Sequence, residues 1–269
     1  MKNRSQRIVG IVVLIVALTM ATTSSVYATL VSAWRAEGNT LDSAGGNHGI
    51  LQGGLTFTPG VVGQAFRFNG TDAGISVLNN ATLNFLGGDL SITTWVRFTT
   101  NFPAGNILFL NYGGLQTYFL SLNITEQPNL YFRDGGANFV STTGTTVLND
   151  GNWHHLAAVR SGTTGSVYVD GVLQNSVTNP AVGVVDVSPA TYARIGWAAT
   201  GPTNAQLNAT ADARFAGDID ELLIFNHALS AADIEAAATV PEPTSMALLA
   251  GGLVLMVSRH RAKGRRMKG

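Results

Sequence analysis

Short runs in which apolar and polar side chains alternate fill the middle of this chain. In residues 91–98, for example, Ile92, Thr94, Val96 and Phe98 fall on one face. A period of two is that of a β-strand, because successive side chains point to opposite faces of a sheet. The runs are short and turn-forming residues separate them, which favours a β-sandwich or barrel over an α/β fold.

Local signals add one hairpin and one helix to these strands. Asp170-Gly171 predicts a two-residue type I′ turn, because the dipeptide tolerates the positive φ angles that this turn requires. Ser230 followed by Asp233 predicts a capped helix over the alanine-rich residues 231–238. The expected strands cover residues 30–35, 61–68, 74–78, 90–98, 106–110, 117–123, 129–133, 153–160, 166–169, 172–177, 192–197 and 217–225.

The N-terminal residues 1–28 are typical of a secretory signal peptide. They combine basic residues, an apolar run at 8–20 and small residues before a cleavage point after Ala28. An uncleaved membrane anchor is the alternative. The apolar run of 13 residues is short for that role, because a span needs about 20 residues.

The C-terminal residues 240–269 predict a second targeting segment. Val240, Pro241, Glu242 and Pro243 precede an uncharged stretch at 244–258, and basic residues follow it. Basic residues after an apolar stretch hold that end on the cytoplasmic side of a membrane. The sequence therefore predicts a transmembrane helix at 244–258 in the inner membrane.

The part between these ends is strongly acidic. Residues 29–243 contain seven arginines, no lysine and all sixteen acidic residues, which gives a net charge of −9. Such a domain repels phosphate backbones, so nucleic acid is not expected as a partner. The chain has no cysteine. One hydrophobic core, without disulfide bonds, must therefore stabilise the region 29–239.

Five ordered sequence blocks span this region. They include Gly63-Gln64-Ala65-Phe66, Trp153-His154-His155-Leu156 and Asp218-Ile219-Asp220-Glu221. Their order and spacing resemble the laminin-G-like domains of the concanavalin A-like lectin/glucanase superfamily. The resemblance implies an all-β, two-sheet antiparallel jelly-roll sandwich at 29–239, closed by the short helix, with its first and last strands side by side. The blocks cover residues 30–45, 56–70, 90–96, 153–171 and 215–231.

The tail resembles the PEP-CTERM sorting signal of Gram-negative bacteria. Val240 to Pro243, the apolar stretch and the basic end match its three parts in order. The resemblance implies an exosortase-type partner, cleavage near the motif, and display at the cell surface or release from it. The plain alternative is a permanent anchor. A stretch of about 15 residues is about 22 Å long as a helix, which is short for about 30 Å of hydrocarbon.

A structural calcium ion is also implied by the resemblance, near the first loop and a late strand. The candidate ligands are Asn39, Asp42, Asn47, Asp218 and Asp220. Calcium takes six to eight oxygen ligands, including backbone carbonyls, and a loop of this composition can supply them. The alternative is that the asparagines and Asp42 form turns by bonding their own backbone.

Catalysis is not expected, although the superfamily contains glucanases. Those enzymes place alternating acids on one strand, and retaining hydrolysis needs two carboxyls about 5 Å apart. In Asp218-Ile219-Asp220-Glu221-Leu222, the third position of the alternation is leucine and Glu221 points the other way. The acid pair is therefore incomplete.

Aromatic residues supply the candidate ligand-binding positions. Trp197 precedes a predicted loop, and Tyr118 and Tyr131 lie on predicted strands. The sequence thus predicts an exported, non-catalytic binding module at the bacterial surface, with polysaccharide or envelope matrix as its ligand. This step rests on fold analogy. A structural, self-associating matrix protein is the alternative, and a glycoside hydrolase is the least favoured reading.

Overall fold

The computed structural model describes residues 29–99, 106–113, 116–187, 192–198 and 213–239. Within these ranges it contains seventeen strands, a 3₁₀ turn at Ala81–Leu83 and one helix, α1 (Ala231–Ala238). The strands are β1 (Leu30–Trp34), β2 (Gly49–Gln52), β3 (Thr56–Pro59), β4 (Gln64–Asn69), β5 (Gly74–Leu78), β6 (Leu90–Arg97), β7 (Asn106–Gly113), β8 (Gln116–Leu122), β9 (Pro128–Arg133), β10 (Phe139–Thr143), β11 (His154–Ser161), β12 (Thr164–Val169), β13 (Val172–Thr178), β14 (Tyr192–Ile195), β15 (Trp197–Ala198), β16 (Ala213–Arg214) and β17 (Ala216–Phe225).

Two antiparallel sheets account for nearly all of these strands. The first sheet has the order β13-β12-β11-β6-β17-β4-β3, with β1 also paired to β17. The second has the order β10-β9-β8-β7-β14-β5-β2, and β15 and β16 form a separate ribbon. The predicted all-β sandwich of two antiparallel sheets is therefore confirmed.

One core fills the space between the sheets. Ile92 and Val96 of β6 enter it from the first sheet, and Leu130 and Phe132 of β9 enter it from the second. All four side chains are fully buried. Burial of a side chain of this size stabilises the fold by about 1.5–3 kcal/mol. The period-two pattern in the sequence thus separates the inward from the outward face of each sheet.

Strand β17 divides the first sheet into two branches. Its first half pairs with β4 and its second half with β1, while β6 runs along its other side. A β-bulge lies between the branches, where Glu221 has a φ of 45° and the register with β6 shifts. The pairing of β1 with β17 confirms the prediction that the first and last strands are neighbours.

The bulge corrects the face assignment that a regular strand predicts for residues 218–222. Asp218 and Asp220 point outward, but the extra residue moves Leu222 into the core together with Ile219. A bulge inverts the alternation after it, because the bulged strand sets two residues against one on its partner.

The predicted hairpin and helix are both present. Asp170 and Gly171 have φ angles of 50° and 80°, as a type I′ turn requires. Ser230 and Asp233 form a complete capping box at the start of α1. A Cβ atom at Gly171 would lie 3.2 Å from the Cα atom of Glu235 in α1, so the turn also packs closely on the helix.

Helix α1 covers the outer face of the first sheet. Its buried residue Ile234 contacts Ala157 and Val159 of β11, which point away from the central core. The chain therefore leaves the domain at Thr239 on that side of the sandwich.

The sequence pattern did not predict four of the strands, namely β2, β3, β10 and β16. Strands β2, β3 and β16 have two to four residues, too few to show a period, and β3 ends in proline. β2, β3 and β10 are the outermost strands of the two sheets. Such edge strands bury fewer side chains, so they carry a weaker hydrophobic pattern.

The two predicted targeting segments, 1–28 and 240–269, lie outside the described residues. Within the described part of the chain, no helix has the length and apolar character that crossing a membrane requires.

Candidate functional site

The first loop uses its acidic residue as a backbone cap. Asp42 Oδ1 accepts hydrogen bonds from the backbone N–H groups of Ala33, Ala44 and Gly45 at 2.8–3.0 Å, and Oδ2 accepts one from Asn47 at 3.1 Å. Four N–H donors occupy both carboxylate oxygens. Asp42 therefore holds the loop against β1 rather than facing an open cavity.

The two asparagines predicted as metal ligands make similar contacts. Asn39 Oδ1 accepts a hydrogen bond from the Leu41 N–H group, which is an Asx turn. The Asn47 side chain is buried, donates to Ser32 Oγ, and accepts a hydrogen bond from the Asn80 side chain. The Asn39 contact matches the turn-forming alternative that the sequence left open, whereas Asn47 instead bonds side chains distant in sequence.

Asp218 is balanced by two cations. Its carboxylate accepts hydrogen bonds from Nε and Nη2 of Arg67 at 2.8 and 3.0 Å, and from Nη2 of Arg97 at 2.7 Å. The Arg97 guanidinium also lies over the ring of Trp153, 4.6 Å from its centre. A carboxylate that two guanidinium groups neutralise has little attraction left for a metal ion or for a substrate proton.

Asp220 and Glu221 lie in β17 where its pairing changes from β4 to β1, a region that we call the fork between β1 and β4. Asp220 Oδ2 accepts hydrogen bonds from the N–H groups of Val61 and Val62 at 2.8 and 3.0 Å, which ties the chain before β4 to β17. Arg35, just after β1, donates to Glu221 Oε2. Among the described residues, the buried Oε1 atom of Glu221 has no hydrogen-bond partner.

Burial raises the pKa of both fork carboxyls. The pKa of Asp220 is raised to about 6 by desolvation, against the hydrogen bonds from Val62 and Val61. The pKa of Glu221 is raised to about 7, again mainly by desolvation, with Arg35 opposing and the charge of Asp220 adding to the shift. Ionisation of these two buried carboxyls therefore destabilises the folded protein, so its stability depends on pH.

Donors within the fold already engage the three carboxylates among the five predicted calcium ligands. Asp42 accepts hydrogen bonds from β1 and from its own loop, Asp218 from two arginines, and Asp220 from the chain before β4. Among the described residues, no group of three or more histidine and acidic side chains could hold a metal. Calcium stays a prediction from resemblance, and no contact described above supports it.

Two of the three predicted ligand-binding aromatics are packing residues. Trp197 is 0% exposed and donates from Nε1 to the carbonyl of Ile75 at 3.2 Å. Tyr118 is 2% exposed, belongs to the central core and donates its hydroxyl to the carbonyl of Leu83. The prediction is therefore wrong for these two rings, because neither offers a surface to a ligand.

Tyr131 lies in an aromatic strip on the outer face of the second sheet. We define the strip as Phe119 of β8, Tyr131 of β9 and Phe139 of β10. The ring centres of Phe119 and Tyr131 are 5.0 Å apart and those of Tyr131 and Phe139 are 5.5 Å apart, both in stacked geometry. Phe139 ends the stack on the outermost strand and is 50% exposed.

Polar side chains flank the strip on the same face. Asn129 Nδ2 donates to Ser141 Oγ and Thr143 Oγ1 at 3.0 and 2.8 Å. Arg133 lies directly opposite Phe139 in the β9–β10 pair. An exposed apolar stack with a polar border is the arrangement that binds amphipathic ligands, since the rings contact apolar faces and the border supplies hydrogen bonds.

Sequence reasoning identified Tyr131 but missed Phe119, Phe139 and Arg133. Tyr131 and Arg133 share the outward parity of β9, where Leu130 and Phe132 are inward, so alternation already places both on one face. Phe139 required the tertiary structure, because its strand was not predicted. Cross-strand stacking depends on the register of three strands, which one strand's pattern does not contain.

Fold and surface together define a lectin-type jelly-roll sandwich with a candidate binding face. The family model described as the concanavalin A-like lectin/glucanases superfamily matches residues 69–235, and the chain belongs to this family. A PEP-CTERM protein-sorting motif matches residues 239–262. A sorting motif of this kind implies export and processing at the membrane. Comparison with curated proteins finds no similar sequence.

Solved structures share this fold. The binding domain of Paraclostridial Mosquitocidal Protein 1 has a TM-score of 0.65 at 16% identity, over 78% of this chain and 52% of its own. Domain 4 of AbnA, a GH43 extracellular arabinanase from Geobacillus stearothermophilus, has a TM-score of 0.61 at 21% identity, over 79% and 100%. The binding domain of botulinum neurotoxin serotype G has a TM-score of 0.61 at 14% identity, over 78% and 50%. The match thus spans about half of each toxin binding domain.

Proposed function

We propose that this protein is a non-catalytic glycan-binding module, exported and displayed at the cell surface. The aromatic strip is the observation that carries the proposal. A sugar ring has an apolar C–H face and a hydroxyl-rich rim. The strip offers apolar rings beside Asn129, Ser141 and Thr143, which complement those two parts.

The structural neighbours favour the same role. The arabinanase domain was solved in complex with arabinotriose, and the two toxin structures are binding domains. At identities of 14–21% these neighbours share the fold with this chain, so their ligands are a guide to chemistry rather than an assignment.

The state of the acidic residues supports a non-catalytic role. A retaining glycosidase needs one free carboxylate nucleophile and one protonated carboxyl acid facing the same substrate. On β17, Asp218 is paired with Arg67 and Arg97, and Asp220 caps the chain before β4. Both outward acidic residues of β17 are therefore engaged in contacts that stabilise the fold.

The strip and the last described residues lie on opposite sheets. Helix α1 lies on the outer face of the first sheet and ends at Ala238, immediately before the sorting motif. The strip is on the outer face of the second sheet. Helix α1, which the sorting motif follows, therefore leaves the strip uncovered. We propose that an exosortase-type enzyme processes this tail.

The test is glycan binding by the full chain, purified in a detergent without a sugar headgroup. Arabinan, galactan and glucan oligosaccharides form the panel, read by calorimetry. We expect Tyr131→Ala and Phe139→Ala each to weaken binding by about 3- to 10-fold, since an aromatic contact contributes about 0.5–1.5 kcal/mol. Leu173→Ala removes a side chain that is 51% exposed on the first sheet and should leave binding unchanged. Binding that ignores both strip variants would refute the site.

A second candidate is self-association as a matrix component. Ile50 and Leu51 of β2 and Leu78 of β5 are 45–58% exposed at the edge of the second sheet. The opposite edge is protected, because Asn175 and Asn179 donate to the free carbonyls of Thr143 and Phe139 on β10. Sedimentation of the full chain tests this function. A monomer at high protein concentration, unchanged by Leu78→Gln, would exclude it.

A further inference from the structure

Arg133 places a positive charge beside the aromatic strip. Side chains of β9 alternate, so that Leu130 and Phe132 enter the core while Tyr131 and Arg133 face outward. Arg133 is also the direct cross-strand partner of Phe139. Arg133 and the rings of Tyr131 and Phe139 therefore share one patch of surface.

The Arg133 side chain has no partner within the described part of the chain. Among the described residues, its side chain makes no hydrogen bond or ion pair, and its buried Nε atom has no acceptor. Other arginines of the domain are engaged: Arg35 pairs with Glu221, and Arg67 and Arg97 pair with Asp218. Arg133 is only half-buried, so the other N–H donors of its guanidinium group can meet an acceptor from outside.

The neighbouring carboxylate does not supply that acceptor. Asp134 follows Arg133 in sequence, but its oxygens accept hydrogen bonds from Asn138 and from the Gly183 N–H group. The described outward positions of β8, β9 and β10 carry no acidic residue. Charge elsewhere on the acidic domain is screened beyond about 8 Å at physiological ionic strength. The local field at the strip is therefore set by Arg133. The outward positions are Thr117, Phe119, Ser121, Asn129, Tyr131, Arg133, Phe139, Ser141 and Thr143.

We propose that the strip selects a carboxylated polysaccharide, with a uronate carboxylate paired to Arg133 and the sugar ring packed on Phe139 and Tyr131. This inference rests on the proposed glycan-binding function and adds the ligand class. A guanidinium group matches a carboxylate with two parallel N–H donors, and such charge-assisted bonds are stronger than bonds to a neutral hydroxyl. A uronate ring presents that carboxylate at the rim of an apolar face, as the patch requires.

The test compares an acidic oligosaccharide with its own neutral form. Oligogalacturonate and its methyl ester share the same sugar backbone and differ by the charge and by one methyl group at each carboxyl. We expect the full chain to bind the acid about tenfold more tightly than the ester, given the extra strength of a charged hydrogen bond. Arg133→Gln should abolish this preference and leave ester binding within about twofold, and added salt should weaken only the acid.

Matched variants distinguish a failure of this inference from a failure of the proposed glycan-binding function. Arg67→Gln removes the same charge from the first sheet, where Arg97 still pairs with Asp218, and should keep the preference. Equal affinity for acid and ester, or a preference that survives Arg133→Gln, overturns the inference while strip-dependent glycan binding stands. No strip-dependent binding of any oligosaccharide overturns the function and the inference together. Near-UV circular dichroism of each variant confirms that the domain is folded.

Discussion

Replacing Glu221 with glutamine tests whether the fork between β1 and β4 is strained by buried negative charge. Glutamine keeps an oxygen that can accept from Arg35 and removes the charge from a side chain that is 4% exposed. The pKa of Glu221 is raised from 4.5 to about 7 in the folded protein, mainly because burial penalises the charged form. The folded state therefore binds a proton more tightly than the unfolded state does.

The sign of the effect follows from that difference. Stability contributed by protonated Glu221 is complete below about pH 4.5 and is lost as pH rises to about 7. A shift of this size corresponds to on the order of 3 kcal/mol. For a domain of this length that is about 6–12 °C in Tm. Asp220 adds to the same trend, because its pKa is also raised, to about 6.

The assay is thermal unfolding of the full chain between pH 4.5 and pH 8.5, followed by tryptophan fluorescence. We expect the Tm of the wild-type protein to fall more than that of Glu221→Gln over this range. Burial lowers the pKa of His155 to about 4, which destabilises both proteins as pH falls and cancels in their difference. Glu235→Gln, on the exposed face of α1, is the charge-matched control. Parallel pH profiles for wild type and Glu221→Gln would refute the reasoning.

Three further outcomes follow from the contacts. Burial alone would lower the pKa of His154, but Asp170 and Asp150 raise it above 6.5. The stability that protonated His154 adds is complete below pH 6.5 and is lost as pH rises through the folded pKa. His154→Gln should therefore remove that step from a pH series of melting curves. Asp218→Ala leaves two arginines without their carboxylate and should cost about 2 kcal/mol in urea unfolding, whereas an unchanged midpoint would show a solvent-screened pair. Ser230→Ala removes the cap of α1 and should cost about 1 kcal/mol by the same assay.

The elements predicted well are those whose cause is local. The Asp170-Gly171 turn depends on backbone conformations that these two residues adopt readily, and the structure shows both angles positive. The capping box at Ser230 spans four residues and needs no distant partner. The inward residues of β6 and β9 follow from period two alone, because a half-buried strand has to place its apolar side chains on one face.

The candidate site was predicted less well, for a physical reason. An aromatic residue in a strand can pack in the core or lie on the surface. Which of the two occurs depends on whether its side chain points to the inner or the outer face of the sheet. Tyr118 and Tyr131 are both tyrosines on neighbouring strands, yet one is in the core and the other in the strip. Trp197 lies beside a predicted loop and is nonetheless fully buried.

The sequence by itself determined that this chain has an acidic, disulfide-free β-sandwich followed by a sorting motif, because alternation, turn chemistry and charge depend on residues close together in the chain. Only the tertiary structure decided that a bulge at Glu221 splits β17 between β4 and β1, and that Phe119, Tyr131, Phe139 and Arg133 meet on one face. Register between strands distant in sequence is fixed by how the whole core packs, and no local run of residues specifies it.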